Sequence, residues 1–163
     1  MTHCETIVQI LERGHGMLQR TLADFSDADM LVRPAERANH AEWMLGHLCR
    51  SESYMLSAVG GKPVELPAGF AEKYSQSKEH CGEVAEPMGK DALLALYNQV
   101  RGRMIEHVKS IPDTELSREI PSPFNKGSTT TVAFMLHMPP LHLSLHVGQM
   151  QVVRRKLGKP ILF

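Results

Sequence analysis

The sequence has few aromatic side chains: phenylalanine, tyrosine and tryptophan together make up 6%, with a single tryptophan. β-Sandwiches and barrels rely on β-branched and aromatic residues, whereas this chain has ten methionines and many leucines. That composition favours helix packing. A length of 163 residues, 42% of them hydrophobic, fits one ordinary domain with its own core. We therefore expect residues 1–163 to form a single domain.

The chain also lacks net charge, because 18 basic and 18 acidic residues cancel. Proteins that bind nucleic acids draw much of their affinity from neutralised phosphates, and they usually show a basic excess or stripe. The densest basic run here is Arg154-Arg155-Lys156, which we expect at the end of a helix, where it complements the helix dipole. The charge pattern argues against nucleic acid as a partner.

Membrane-spanning and secretory segments are missing as well. No apolar stretch approaches the roughly 18–20 residues needed to cross a bilayer, and the first residues do not resemble a signal peptide. Cys4, Cys49 and Cys81 are odd in number and widely spaced, which favours reduced thiols over a disulfide framework. We expect a cytoplasmic protein with no membrane partner, in which Cys49 is a small hydrophobic residue on a helix face.

Apolar residues recur at spacings of three and four in four segments, the pattern of amphipathic helices. The predicted helices span about residues 5–25, 39–59, 90–110 and 129–158. Asn39 is expected to cap the second helix, with Glu42 completing a capping box. Pro139 and Pro140 lie inside the fourth helix, so we expect either a kink there or a short helix that ends near Met138 and a main helix beyond it.

The connections between these helices are unequal. Residues 62–89 show no sustained period and form the longest loop, with a short helical turn expected around residues 71–81. Residues 114–128 are a second connector. Because no segment has a credible strand pattern, we predict an all-α four-helix bundle with a long connection between helices two and three. Its apolar stripes include Ile10, Tyr54, Leu145 and Val152.

Nine histidines stand out, and their placement suggests a metal site. His142 and His146 are four residues apart, so their rings project from one helix face and can hold a single ion. His47 lies in the apolar stripe of helix two and would complete the site from a facing helix. Three protein ligands leave positions open for water or substrate, as in catalytic metal sites. The competing interpretation is that each histidine is buried and hydrogen-bonded to a carbonyl or carboxylate.

The other histidines are sorted by their positions. His40 shares a face with His47 but stands about 10.5 Å away along the helix axis, too far for both to reach one ion. His137 is about 140° around a regular helix from His142, and it is kept as a pocket candidate in case the two prolines introduce a bulge. The remaining four have no partner spacing and are expected at the surface or at helix ends: His3, His15, His80 and His107.

Two segments resemble signatures of the DinB-like superfamily. NHAEWMLGHLCRSES, residues 39–53, is similar to the second-helix element in which a Trp and GHL carry a metal-binding histidine. LHLSLHVGQMQVVRRKLG, residues 141–158, is similar to the last-helix element HxxxHxGQ, and IPDTELSREIP before it resembles the family's connector. The resemblance implies an antiparallel four-helix bundle with a long crossover, often a homodimer. It also implies a site for Zn²⁺, Ni²⁺ or Fe²⁺ whose ligands are His47, His142 and His146.

The resemblance further implies thiol chemistry, in which a metal binds a low-molecular-weight thiol as its thiolate and presents it to an electrophilic substrate. Gln149 and Trp43 are the other pocket candidates, to orient a ligand or line the site. Metal-assisted hydrolysis is a second interpretation, but it usually needs a nearby carboxylate, and neither Glu42 nor Glu52 falls on the face of His47. A third is a non-catalytic, metal-stabilised binding module.

Overall fold

Residues 1–75 and 84–163, the part of the chain that the computed structural model describes, form six α-helices and one short hairpin. The helices are α1 His3–Leu22, α2 Asp27–Met30, α3 Ala41–Ala58, α4 Phe70–Lys73, α5 Lys90–Ser110 and α6 Val132–Lys156. The strands are β1 Glu119–Pro121 and β2 Thr129–Thr131, and Asp113–Ser117 form a 3-10 helix. The helical turn predicted around residues 71–81 is partly observed as α4; its last residues, with His80 and Cys81, lie outside the described residues.

The long helices follow the predicted segments closely where strong end signals flank them. α5 covers residues 90–110 as predicted, because Gly89, with φ of 86°, can adopt a conformation that other residues avoid. α1 ends at Leu22, three residues before the predicted end. Ser26 then opens the separate helix α2 through a capping box with Asp29.

The two neighbouring helices α3 and α5 run in the same direction. The thiol of Cys49, in the middle of α3, faces the carbonyl of Leu93, near the start of α5, at 3.9 Å. Near the end of both, the His107 ring lies 3.4 Å from the Val59 carbonyl oxygen. Parallel neighbours need a long connection, because the chain must return along the whole bundle before the second helix begins. This geometry accounts for the length of the segment between them.

α6 packs against α3 in the opposite direction. Met44, near the start of α3, shares a core cluster with Met150 of α6. Met55, near the end of α3, shares the other cluster with Met135, near the start of α6. Residue numbers therefore increase in opposite directions along α3 and α6, so the two helices are antiparallel.

α1 packs alongside α6 and runs parallel to it. At one end the rings of His3 and His137 are 5.4 Å apart, and at the other the Thr21 carbonyl accepts a hydrogen bond from Arg154 at 2.8 Å. Two helices of the bundle thus run antiparallel to the other two. The predicted four-helix bundle, with its long connection between the second and third long helices, is confirmed.

α6 continues through its two prolines without interruption. Each proline removes one backbone hydrogen bond from the helix, which would break a helix that had little else to stabilise it. Pro139 and Pro140 are both buried in the bundle. Tertiary packing therefore holds the helix, and the predicted alternative of a short helix ending near Met138 is wrong.

A small hairpin precedes α6, which the sequence did not suggest. β1 pairs antiparallel with β2, with Ile120 opposite Thr130. The Thr131 hydroxyl then accepts the Phe134 amide hydrogen bond and caps α6. Three-residue strands, one of them containing Pro121, are too short for a period-two pattern to be recognised. The prediction that no segment forms a strand is therefore wrong for this connector.

Two clusters of buried apolar residues fill the bundle, one around Trp43 and one around Met55. Four residues predicted in the apolar stripes are exposed instead: Ile10, Tyr54, Leu145 and Val152. Leu145 is the clearest case, with 62% of its surface exposed, because α6 carries apolar residues on its outer face as well as its inner one. No helix among residues 1–75 and 84–163 is long and apolar enough to cross a membrane.

Candidate metal centre

α3 brings His47 and Trp43 to the inside of the bundle. The helix begins at Ala41, and the His40 ring caps it by accepting the Trp43 amide hydrogen bond at 3.0 Å. The predicted capping box of Asn39 and Glu42 is therefore wrong. Because the helix starts later than expected, Glu42 falls one position too early for such a box, and its carboxylate is buried instead.

α6 supplies two further imidazoles from the facing side. His142 and His146 lie one turn apart, and their Nε2 atoms are 3.0 Å from each other. The Nδ1 of His146 faces Gln149 Oε1 at 2.8 Å. The spacing of four residues thus has the geometric result expected from the sequence, two rings converging on one point.

The structure brings His47, His142 and His146 together. One nitrogen from each ring lies within 4.8 Å of the others, an arrangement that could hold a metal ion. The ring centroid of His47 is 5.0 Å from that of His142 and 5.4 Å from that of His146. His47 and His146 are 7% and 8% exposed, and His142 is half-buried, so one side of the group is open.

Hydrogen bonds fix which nitrogen of each buried ring carries a proton. The Nδ1 of His47 lies 3.2 Å from the Tyr74 carbonyl oxygen, which can only accept, so this nitrogen must be the donor. His146 donates in the same way from Nδ1 to Gln149. In both neutral rings the lone pair is left on Nε2, the atom that points into the group.

Burial keeps these rings neutral. Desolvation lowers the pKa of His47 and of His142 to about 4, and it lowers the pKa of His146 as well. Neutral imidazole is the form that binds metals. Two nitrogens bound to one tetrahedral Zn²⁺ would be roughly 3.3 Å apart, close to the 3.0 Å between His142 and His146. The donor set fits a Zn²⁺, Ni²⁺ or Fe²⁺ ion with positions left for another ligand.

Trp43 forms one wall of the group. Its indole stacks on the His47 ring with centroids 4.6 Å apart and planes inclined by 8°, and it meets the His146 ring edge to face at 6.5 Å. This contact restricts rotation of the His47 ring. Trp43, a pocket candidate from the sequence, thus lies beside the histidines.

Tyr74 was missed by sequence reasoning. It orients His47 through its backbone carbonyl, a group that every residue has, so no signal in the sequence could have singled it out. Ser51 was also missed, and its hydroxyl lies 3.4 Å from His47 Nε2. Its spacing of four residues from His47 was a usable signal in the sequence.

Acidic and thiol groups close in sequence to His47 point elsewhere. Glu42 accepts hydrogen bonds from Tyr74 and Met88, and Glu52 pairs with Arg101. Cys49 is buried against the Leu93 carbonyl, and burial raises the pKa of its thiol. Neither carboxylate belongs to the histidine group, and the thiol is held in its protonated form.

The other described histidines lie outside this group. His137 is exposed, donates from Nδ1 to the Ala133 carbonyl, and contacts the His3 ring. His15 faces Asn98 at 2.6 Å. The two prolines introduce no bulge that turns His137 towards His142, since α6 is continuous there.

Residues 10–150 match the sequence model of the DinB superfamily. The chain belongs to the DinB superfamily. Both segments that resembled DinB signatures carry the histidine group, one at the start of α3 and one in the second half of α6. No curated protein matches the sequence.

Several solved structures share the DinB bundle. A conserved protein from Enterococcus faecalis is 21% identical, with a TM-score of 0.79 over 98% of this chain and 99% of that one. A DinB-like protein from Bacillus cereus is 18% identical, with a TM-score of 0.75 over 98% and 97%. YfiT from Bacillus subtilis, described as a probable metal-dependent hydrolase with an unusual four-helix bundle topology, is 17% identical, with a TM-score of 0.70 over 98% and 91%. At these identities the likeness establishes the fold alone.

Proposed function

We propose that this DinB protein holds one divalent metal ion, Zn²⁺, Ni²⁺ or Fe²⁺, through His47, His142 and His146, and that it transfers a low-molecular-weight thiol to an electrophilic substrate. The observation that carries the proposal is the convergence of three neutral imidazoles on one point. Two of them have their lone pairs directed inward by hydrogen bonds on the opposite ring nitrogen. A divalent ion held there would lower the pKa of a coordinated thiol and so favour its thiolate near neutral pH.

The reaction that fits this site is nucleophilic substitution at carbon. The thiol loses its proton to solvent, its sulfur forms a bond to the electrophilic carbon, and the leaving group departs with the bonding electron pair. Trp43 lines the site as a flat apolar wall against which a substrate can pack. The open side at the half-buried His142 gives the thiol and the substrate a route in.

Metal-assisted hydrolysis is the second candidate, and the description of YfiT as a probable metal-dependent hydrolase favours it. Water activation usually needs a carboxylate or a further histidine to accept the proton. The nearest acidic residues in sequence, Glu42 and Glu52, are engaged with other partners. This arrangement supports thiol transfer over hydrolysis, because a thiol needs no strong base once it is coordinated.

The first test is metal content. Protein produced without a polyhistidine tag is analysed by mass spectrometry, beside His142→Ala and, as a matched control, His137→Ala on the same helix. About one ion per chain is expected in the parent and in the control, and none in His142→Ala. No metal in the parent, even after incubation with Zn²⁺, Ni²⁺ and Fe²⁺, would overturn the proposal.

The second test separates the chemistries. The metal-loaded protein is given glutathione, cysteine or coenzyme A with 1-chloro-2,4-dinitrobenzene, and separately an activated ester without thiol. Thioether formation that is lost in His142→Ala supports thiol transfer. Ester hydrolysis without thiol favours the hydrolase, and a metal-loaded protein inert in both assays favours a binding module.

We also propose that the protein is a homodimer that works in the cytoplasm. Large apolar residues follow one another along the outer face of α6 at spacings of seven, four and seven: Phe134, Leu141, Leu145 and Val152. This is the spacing of a helix–helix seam, and Gly148 within it would let a second helix approach closely. Cys4 and Cys49 are free, which suits a reducing compartment in which small thiols stay reduced.

A further inference from the structure

Tyr74, directly after α4 in the long connection, is tied to α3 at three points. Its side chain is completely buried. Its carbonyl, ring and hydroxyl each meet a different residue in the first two turns of α3, namely His47, Gly46 and Glu42. The connection is therefore docked on the helix that carries a histidine of the metal centre, beside that histidine.

The ring of Tyr74 lies against the backbone of Gly46. A Cβ atom at position 46 would be 2.3 Å from Cδ1 of the ring, a separation that side chains do not reach. Phe70 packs on the same ring with centroids 4.6 Å apart. Only glycine at position 46 lets the connection come this close to α3, which explains the glycine that precedes His47.

The hydroxyl of Tyr74 is held by a buried carboxylate. It donates to Glu42 Oε1 at 3.0 Å, and the Met88 amide donates to the same oxygen at 2.7 Å. Burial, with the nearby Glu42 charge second, raises the pKa of Tyr74, so the hydroxyl remains a donor. Glu42 thus fastens the long connection to α3 at two points, residues 74 and 88.

We infer that Glu42, Gly46 and Tyr74 act as one positioning unit, which fixes the proton of His47 on Nδ1 and so presents its Nε2 to the metal. Loosening the Tyr74 carbonyl would let the proton move to Nε2 and block that ligand atom. The inference rests on the proposed metal site for its effect on affinity, but the effect on the His47 tautomer exists without any metal.

Tyr74→Phe tests this directly, since it removes the bond to Glu42 and keeps the ring. The matched control is Tyr54→Phe, at an exposed tyrosine of α3, the helix that carries His47. In the metal-free proteins, ¹⁵N shifts of the His47 ring report which nitrogen is protonated. In the loaded proteins, competition with a chelator gives the Kd for Zn²⁺. Thermal unfolding checks that each variant is folded.

We expect Tyr74→Phe to shift the His47 ring away from the Nδ1–H tautomer and to weaken Zn²⁺ binding roughly tenfold. Tyr54→Phe should match the parent in both. Glu42→Gln, which keeps an acceptor oxygen, should lie between the parent and Glu42→Ala in both measurements, a rescue that a merely structural role would not give.

A folded Tyr74→Phe with unchanged tautomer and unchanged Kd would overturn the inference. If Tyr74→Phe does not fold, the ordering of the two Glu42 variants decides instead, and no difference between them overturns it. If the parent binds no Zn²⁺ yet the tautomer shifts in the variant, the proposed function fails while the positioning role stands.

Discussion

α3 carries two buried polar groups on different faces, and they are completed in different ways. Towards α5, Glu52 Oε2 accepts hydrogen bonds from Arg101 at 2.8 Å and from Tyr97 at 3.1 Å. Towards α6, His47 meets His142 and His146, and one nitrogen of each ring lies within 4.8 Å of the others. The first cluster pairs a carboxylate with its own donors, whereas the second brings together three rings, in two of which hydrogen bonds on Nδ1 leave the lone pair on Nε2.

The difference shows how a buried polar cluster that stabilises a fold can be told from one that binds a ligand. The Glu52–Arg101 pair joins two opposite charges, and although burial raises the pKa of Glu52, the Arg101 charge opposes that rise. Its hydrogen bonds lie within the cluster, although Glu52 Oε1 and Arg101 Nε have no hydrogen-bond partner among the described residues. A metal ion bound between the three histidines would use the lone pairs that these rings direct towards one another. Removing a member of the first cluster should therefore lower the stability of the metal-free protein, whereas removing a member of the second should mainly lower its affinity for a metal.

The largest effect is expected at the internally paired cluster. Arg101→Met leaves the Glu52 carboxylate buried without its counter-charge, which should lower the free energy of unfolding by about 3–5 kcal/mol. Urea unfolding of the metal-free protein measures it. The control is Arg103→Met, whose exposed pair with Glu106 should contribute less than about 1 kcal/mol. Similar losses for both variants would contradict the assignment of the Glu52–Arg101 pair as the stabilising cluster.

His40 sharpens the comparison, because it is a buried histidine with an internal partner. Burial, with the nearby Arg33 charge second, lowers its pKa from 6.5 to about 4. Between pH 6.5 and 4 the His40 ring is therefore protonated in the unfolded chain but neutral in the folded one. The free energy of unfolding should fall as the pH drops through this range. The loss of unfolding free energy should approach about 3 kcal/mol at pH 4.

His40→Asn keeps an N-cap but cannot titrate, so it should remove this part of the pH dependence. The measurement is urea unfolding of parent and variant at several pH values between 4 and 8. The difference between the pH dependences of the unfolding free energy of the two proteins is due to His40 and should not depend on added Zn²⁺. Parallel pH profiles for the two proteins would contradict the expectation.

A bound metal ion at the histidine group should stabilise the folded protein. With Zn²⁺ at 100 times its Kd, the folded parent should gain about 2.7 kcal/mol, seen as a higher Tm. His142→Ala should show no such gain, while its metal-free stability stays close to that of the parent. A His142→Ala variant that is strongly destabilised without metal would place the histidines in the same class as Glu52 and Arg101.

The smallest effect on folding is expected at the outer face of α6. Leu145→Glu places charges in the proposed helix–helix seam and should convert a dimer to monomers, with less than about 0.5 kcal/mol change in the stability of the monomer. Analytical ultracentrifugation measures the mass. Ser144→Glu, at the adjacent exposed position, should leave the dimer intact, and a parent that is already monomeric would rule the dimer out.

Local signals in the sequence predicted what depends on local structure. The bounds of α5 and the convergence of His142 and His146 follow from end signals and from a spacing of four along one helix. The burial of Leu145 was predicted wrongly, because apolar spacing does not say whether a face meets the core or another surface.

Contacts between residues far apart in the sequence could not be predicted from the sequence. Tyr74 reaches His47 only after the long connection folds back, and it does so through a backbone atom. Likewise, the role of His40 as a helix cap depends on where α3 begins, which a pattern fixes only to within a few residues.

The order of the helices has a consequence for biosynthesis. α3 leaves the ribosome well before α6, and yet the group of three histidines needs both. A nascent chain holding only α1 to α5 presents His47 alone, too few ligands to retain an ion against the competing small molecules of a cell. On the proposed function, metal capture is therefore a late event in folding, since it requires α6 to have packed between α1 and α3.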